Sequence, residues 1–123
     1  MKIFKNKKNI KIFKNLKNIG AGLSRNIGIK KSNGEIIAFL YSDDIWRTNK
    51  LEAQLNFMIK NDYEFTFSNY EKKLLNGNTL KVVAKKEFDY DDLLKSCDIG
   101  LSTVMLNKKI IKKNLFPNLG TKE

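Results

Sequence analysis

The stretch "GEIIAFLYSDDIW", residues 34–46, decides how the rest of the chain is read. Residues 35–40 are an apolar run of strand length, the pattern of a strand buried on both faces. The run ends at two adjacent carboxylates, Asp43 and Asp44, with Trp46 two positions further on. Working outward, a helix is expected from Gly20, with Leu23 and Ile27 on one face. It ends near Ser32-Asn33-Gly34, where Asn and Gly favour a break. On the other side Thr48 or Asn49 can cap a second helix, and Asn49 with Glu52 has the spacing of a capping box. That helix carries Leu51, Leu55, Met58 and Ile59 as one stripe and runs to about Lys60.

Further along, Phe65 and Phe67 alternate with polar neighbours and read as a strand. Two extended segments flank Asn76-Gly77, a good hairpin turn. Asp89 or Asp91 can start a short helix through Leu93 and Leu94. Residues 101–106, "LSTVML", read as extended, and a last helical turn is expected over residues 107–113, before Pro117. A short strand is expected at residues 11–13. Helices alternating with strands give an α/β fold with a mainly parallel sheet flanked by helices. Residues 35–40 should be its central strand, in neither a helix nor an exposed antiparallel edge, and the small hairpin should lie near an edge.

Ligands of such sheets bind beyond the carboxyl ends of the strands, which is where Asp43 and Asp44 fall. Two readings of the pair stand side by side. Carboxylate oxygens suit magnesium or manganese, ions that share their shell with substrate phosphates. Equally, Asp is a common turn residue where a strand leads into a helix.

Composition narrows the classes. The chain has 123 residues and can hold one domain at most. Its single cysteine, Cys97, excludes an internal disulfide and fits a reducing cytoplasm. Histidine is absent, which removes the commonest general base and zinc ligand. No apolar run approaches the roughly 20 residues of a membrane span, and residues 1–17 lack the apolar core of a secretory signal. The net charge of +11 raises the question of nucleic acid. Yet 22 of the 24 basic residues are lysine and only Arg25 and Arg47 are arginine, the residue favoured for bidentate phosphate contact. With 15 asparagines alongside, the charge reads as a compositionally biased, solvated surface, and no nucleic-acid partner is expected. The densest basic patch, residues 2–17, holds seven lysines and no acid.

The longer stretch "NIGAGLSRNIGIKKSNGEIIAFLYSDDIWRTNKLEAQLNFM", residues 18–58, resembles the family 2 glycosyltransferases, inverting enzymes of the Rossmann-like GT-A fold. Asn18, Gly20, Ser24, Arg25, Asn26, Gly28, Gly34, Glu35, Asp43, Asp44, Trp46, Lys50, Leu51, Glu52 and Gln54 fall in register with that family's motifs. "FTFSNYE" and "FDYDDLLKSCDIGLSTVMLNKKII" resemble later segments of bacterial members that build surface polysaccharides. The resemblance implies a nucleotide-diphospho-sugar donor, a divalent metal (manganese or magnesium) and transfer to the hydroxyl of a saccharide or lipid-linked acceptor. It assigns Asp43 and Asp44 to the metal, with Asp43 and Arg25 also at the donor. Trp46 either walls the donor site or anchors the following helix.

Two departures from the family pattern qualify this. Tyr41 stands where the first Asp of the family's Asp-x-Asp motif usually lies. Residues 1–17 supply neither of the family's opening strands, and Glu123 matches the Glu of a Glu-Asp motif whose Asp, the catalytic base, would follow it. The expectation is a partial family 2 domain over residues 1–123, an incomplete GT-A sheet with open strand edges. Residues 1–17 would be a basic lead-in, 18–60 the donor and metal segment, and 61–123 the start of the acceptor side. No catalytic residue is assigned within the chain, which is expected to be inactive alone, in the cytoplasm or peripheral at the inner membrane face. A neighbouring chain carrying the missing halves is one partner this allows. The alternative is a non-catalytic basic protein that contacts anionic polymers through residues 2–17.

Overall fold

Strand β1, Ile36–Ala38, forms where the apolar run predicts it, although only three of the six residues join a ladder. Its partner comes from far along the chain. β1 pairs antiparallel with β5, Met105–Asn107, in the register Ile36 to Asn107, Ile37 to Leu106 and Ala38 to Met105. Strand β2, Phe65–Thr66, pairs antiparallel with the other side of β5, so the order is β1-β5-β2. The computed structural model describes residues 9–89, 91–92, 99–112 and 115–117. The chain divides into two compact units, Met1–Asn33 with Ile111–Glu123, and Gly34–Ile110.

Helix α2, Lys50–Asn61, links β1 to β2 within the second unit. The alternation of elements therefore does set β1 and β2 running in the same direction, as an α/β crossover should. The expected parallel neighbours are nevertheless replaced by antiparallel ones, because the crossover skips one strand position and β5 fills the gap. β5 and not residues 35–40 is central, since it pairs on both sides, and its Met105 and Leu106 are only 2% and 1% exposed. β1 thus lies at an antiparallel edge, with no strand on its outer side among the described residues. One face is covered all the same: Ile37 is buried, while Ile36 and Ala38 are half-buried. The hairpin expected near an edge instead forms a two-stranded sheet of its own, β3 (Tyr70–Lys73) with β4 (Thr79–Val82).

Helix α2 starts and stops as predicted, but two details differ. Asn49 makes no side-chain cap, so the capping box is not formed; its carbonyl accepts the Ala53 N–H at 3.0 Å. The buried face is Gln54 and Met58, while Leu51 and Ile59 of the predicted stripe are 47% and 71% exposed. The helix ends at Asp62, whose φ of 54° is a left-handed cap, a conformation a short polar side chain tolerates. In β2 the period of two holds with the faces exchanged: Thr66 points inward and Phe65 outward. Phe65 packs beside Phe67, and Phe67 meets Phe88 edge-on at 5.4 Å.

In the first unit α1, Gly20–Lys31, ends at Ser32, whose N–H returns to the Gly28 and Ile29 carbonyls. Ile29 is its buried residue, whereas Leu23 and Ile27 are half-buried. Residues 11–13 form no strand. Asp89 and Asp92 exchange hydrogen bonds between side chain and backbone N–H, the reciprocal pattern of a helix start. Residues 101–106 are not one extended run, because a 3₁₀ turn, Leu101–Thr103, precedes β5, and a second, Lys108–Ile110, follows it. Leu93, Leu94, Cys97, Lys113 and Glu123 lie outside the described residues.

Leu106→Ala removes a side chain packed between two strands and is expected to cost about 3 kcal/mol of stability, read as a lower urea midpoint. Leu75→Ala, at a fully exposed position, should shift it by less than about 0.5 kcal/mol.

Candidate functional site

Beyond the carboxyl end of β1 the chain turns on itself, and the Asp44 N–H closes a four-residue turn by donating to the Tyr41 carbonyl at 3.2 Å. Asp43 occupies the turn and Asp44 ends it, both exposed. The strand thus delivers the two carboxylates where the sequence places them.

What holds the turn is a residue that sequence reasoning passed over. Ser102, in the 3₁₀ turn before β5, takes one hydrogen bond from each flank of the acidic pair. Its hydroxyl oxygen accepts the Tyr41 N–H at 3.0 Å, and its carbonyl accepts the Trp46 indole Nε1–H at 2.8 Å. Trp46 therefore anchors its end of the loop to the 3₁₀ turn before β5. The Lys50 ammonium lies 4.6 Å from the centre of the Trp46 ring and donates to Gln54 Oε1 at 2.8 Å. Burial holds the Lys50 pKa below the ordinary lysine value. Gln54 Nε2 in turn donates to Thr66 Oγ1 and to the Thr103 carbonyl, each at 3.0 Å. A continuous polar path runs from the sheet through α2 to the loop that carries Asp43 and Asp44. Lys50 and Gln54 fall on one helix face four residues apart, the only advance signal of this path in the sequence.

Arg25 belongs to the other unit, on α1, with its guanidinium 5.2 Å over the Phe116 ring. Beside it the Asn26 amide pairs both ways with the Phe116 backbone: Nδ2 donates to the carbonyl at 2.7 Å and Oδ1 accepts the N–H at 3.1 Å. The side chain imitates a rung of β-ladder and fixes residues 115–117 against the helix. Among the described residues no group of three or more His, Cys, Asp or Glu side chains could by itself enclose a metal ion.

Comparison with known proteins gives a consistent result. Residues 2–118 match the family described as Glycosyl transferase family 2. The chain is 44% identical, over 80% of its length, to UDP-Glc:alpha-D-GlcNAc-diphosphoundecaprenol beta-1,3-glucosyltransferase WfgD of Escherichia coli, of which the match covers 39%. It is 40% identical to an uncharacterized glycosyltransferase of Haemophilus influenzae, over 95% of this chain and 47% of the relative. It is also 36% identical to the Bacillus subtilis glycosyltransferase TuaG, provisionally assigned to teichuronic acid biosynthesis, over 85% of this chain and 42% of the relative. The chain thus spans less than half the length of these curated relatives. No solved structure matches it.

Ser102→Ala deletes the acceptor for the Tyr41 N–H and leaves the carbonyl for Trp46. Amide exchange at Tyr41 should accelerate with a stability loss of about 1 kcal/mol, while exchange at Leu106 follows only the global change. Gln54→Leu, near in volume, strands the Thr103 carbonyl and frees Lys50. It should cost about 1–3 kcal/mol and shift the emission of the single tryptophan, Trp46.

Proposed function

The chain belongs to glycosyl transferase family 2, and from that premise we propose that it forms the donor side of an enzyme that moves a sugar from a nucleoside diphosphate to an acceptor hydroxyl. The observation that carries this reading is the position of Asp43 and Asp44, exposed on an anchored turn beyond the carboxyl end of β1. Ligands of α/β sheets gather at that end.

Members of the family commonly use divalent metals, and the residues present fit one. Asp43 and Asp44 would hold magnesium or manganese through hard carboxylate oxygens. Two carboxylates would supply only part of such an ion's oxygen shell, and water and the donor's phosphates would supply the rest. Once bound, the metal supplies positive charge against the diphosphate as it leaves. The chain's own contribution is placement. Ser102 and Trp46 keep the turn from swinging, and Lys50 adds a cation to the base of the loop. We assign Arg25 to the donor phosphates because a guanidinium can hold two phosphate oxygens at once; its position over the Phe116 ring limits its rotamers. Inverting transfer also needs a base within reach of the acceptor hydroxyl, a role assigned to none of the described residues.

The acceptor is proposed to be a saccharide carried on a lipid diphosphate, in the synthesis of bacterial surface polysaccharide at the cytoplasmic face of the membrane. The identity to the Escherichia coli glucosyltransferase supports this reading. No helix among the described residues is long and apolar enough to cross a bilayer.

Calorimetry tests the site directly. Manganese alone should bind the chain weakly, and UDP should strengthen its binding by contributing phosphate oxygens. Asp43→Ala and Asp44→Ala should each weaken the UDP-dependent binding by roughly tenfold or more. Unchanged binding in both variants would remove the pair from the donor site.

A further inference from the structure

The β3–β4 hairpin carries an unusual tip. Leu74 and Leu75 sit where a turn normally exposes polar residues, and Leu75 is fully solvent-exposed. Leu80, on the returning strand, and Val83, just past its end, are 52% and 66% exposed. The turn is ordered in spite of this. Leu74 N–H donates to the Asn78 carbonyl at 2.8 Å, Gly77 N–H to the Leu74 carbonyl at 3.0 Å, and Asn78 N–H to Asn76 Oδ1 at 3.0 Å. Gly77 has φ +84°, which its lack of a Cβ permits. A tip with these backbone groups already paired loses little when water is withdrawn from it.

Charge surrounds the leucines. Residues 72–86 contain Lys72, Lys73, Lys81, Lys85 and Lys86 and no acid. The nearest carboxylate along β3, Glu71, is paired with Arg47 at 2.8 Å. Lys85 pairs with Asp92, which leaves Lys72 and Lys73 nearest the tip and Lys81 one step back, across the ladder from Glu71.

We propose that this hairpin is a membrane-contacting element: Leu74 and Leu75 enter the interface of an anionic bilayer while Lys72, Lys73 and Lys81 engage the headgroups. A narrow tip that projects apolar side chains outright needs a fluid apolar phase and not a shaped pocket, which favours lipid over an acidic protein surface. Apolar insertion with basic attraction to anionic lipid is how interfacial elements bind. The inference deepens the lipid-linked acceptor reading, since a loop held at the bilayer would keep the donor site near that acceptor.

The test is co-sedimentation of the 123-residue chain with vesicles of phosphatidylcholine alone or mixed with phosphatidylglycerol. The chain should bind the mixed vesicles and bind the neutral ones far less. Leu74→Ser with Leu75→Ser keeps every charge, so simple adsorption of a basic protein would survive it; binding should instead fall about tenfold or more. Lys72→Gln with Lys73→Gln and Lys81→Gln should also weaken binding, by about fivefold for each lysine in contact, with less salt dependence remaining. Circular dichroism checks that the exposed substitutions leave the fold intact. Asp43→Ala should sediment as wild type, because no donor or metal is involved, so failure of the donor-site reading is seen separately. Equal binding by the leucine variant, or no binding to anionic vesicles, overturns the proposal. Leucine-dependent retention on polyglutamate without vesicle binding assigns the tip to an acidic protein partner and overturns it as well.

Discussion

A single buried amide holds the second unit together. Gln54 uses both Nε2 hydrogens and one Oε1 lone pair to join α2 to β2 through Thr66, to the approach of β5 through Thr103, and to Lys50 on its own helix. An amide in that position would cost on the order of 1–3 kcal/mol for each group left unpaired. The path is closed: among the described residues every buried side-chain nitrogen and oxygen has a partner. Because amide donors and acceptors are directional, Gln54 fixes the rotation of α2 in a way that apolar contact with Met58 could not.

That constraint reaches the acidic turn by relay. Lys50 is held from below by Gln54 and lies against Trp46, and Trp46 meets the Ser102 carbonyl. Thr103, next to Ser102, is the residue whose carbonyl Gln54 engages. Loop and sheet are therefore registered against the same short 3₁₀ turn, so the carboxylates are exposed without being loosely placed. The first unit solves a similar problem differently. There the amide of Asn26 stands in for backbone and holds a segment that forms no strand.

The sequence conveys local structure well and long-range structure poorly, for reasons visible residue by residue. α1 and α2 were legible because Asn33-Gly34 and Asn49 punctuate them, and the Asn76-Gly77 turn because Gly77 must take a positive φ. The position of Asp43 and Asp44 was legible because an apolar run stops before them. Strand order was not, since β5 enters the sheet from distant residues and no local pattern encodes its neighbours. The inward face of α2 was misjudged at Leu51 and Ile59 because the stripe rule counts apolar residues, and here a satisfied polar residue takes the core position. Ser102 was invisible for the same reason: its role exists only through hydrogen bonds to Tyr41 and Trp46.

The central place of β5 also dictates an order of events during synthesis. β1 and β2 touch no common partner until residues 105–107 have left the ribosome, and Ser102 arrives with them. α2 can form early from local contacts, but the sheet must close a long loop first, which slows its formation relative to helical elements. Until then residues 36–38 and 65–66 present unpaired edges beside a stretch of exposed apolar side chains, the kind of surface on which nascent chains associate. The acidic turn, tied to Ser102, becomes ordered in the same late step as the sheet itself.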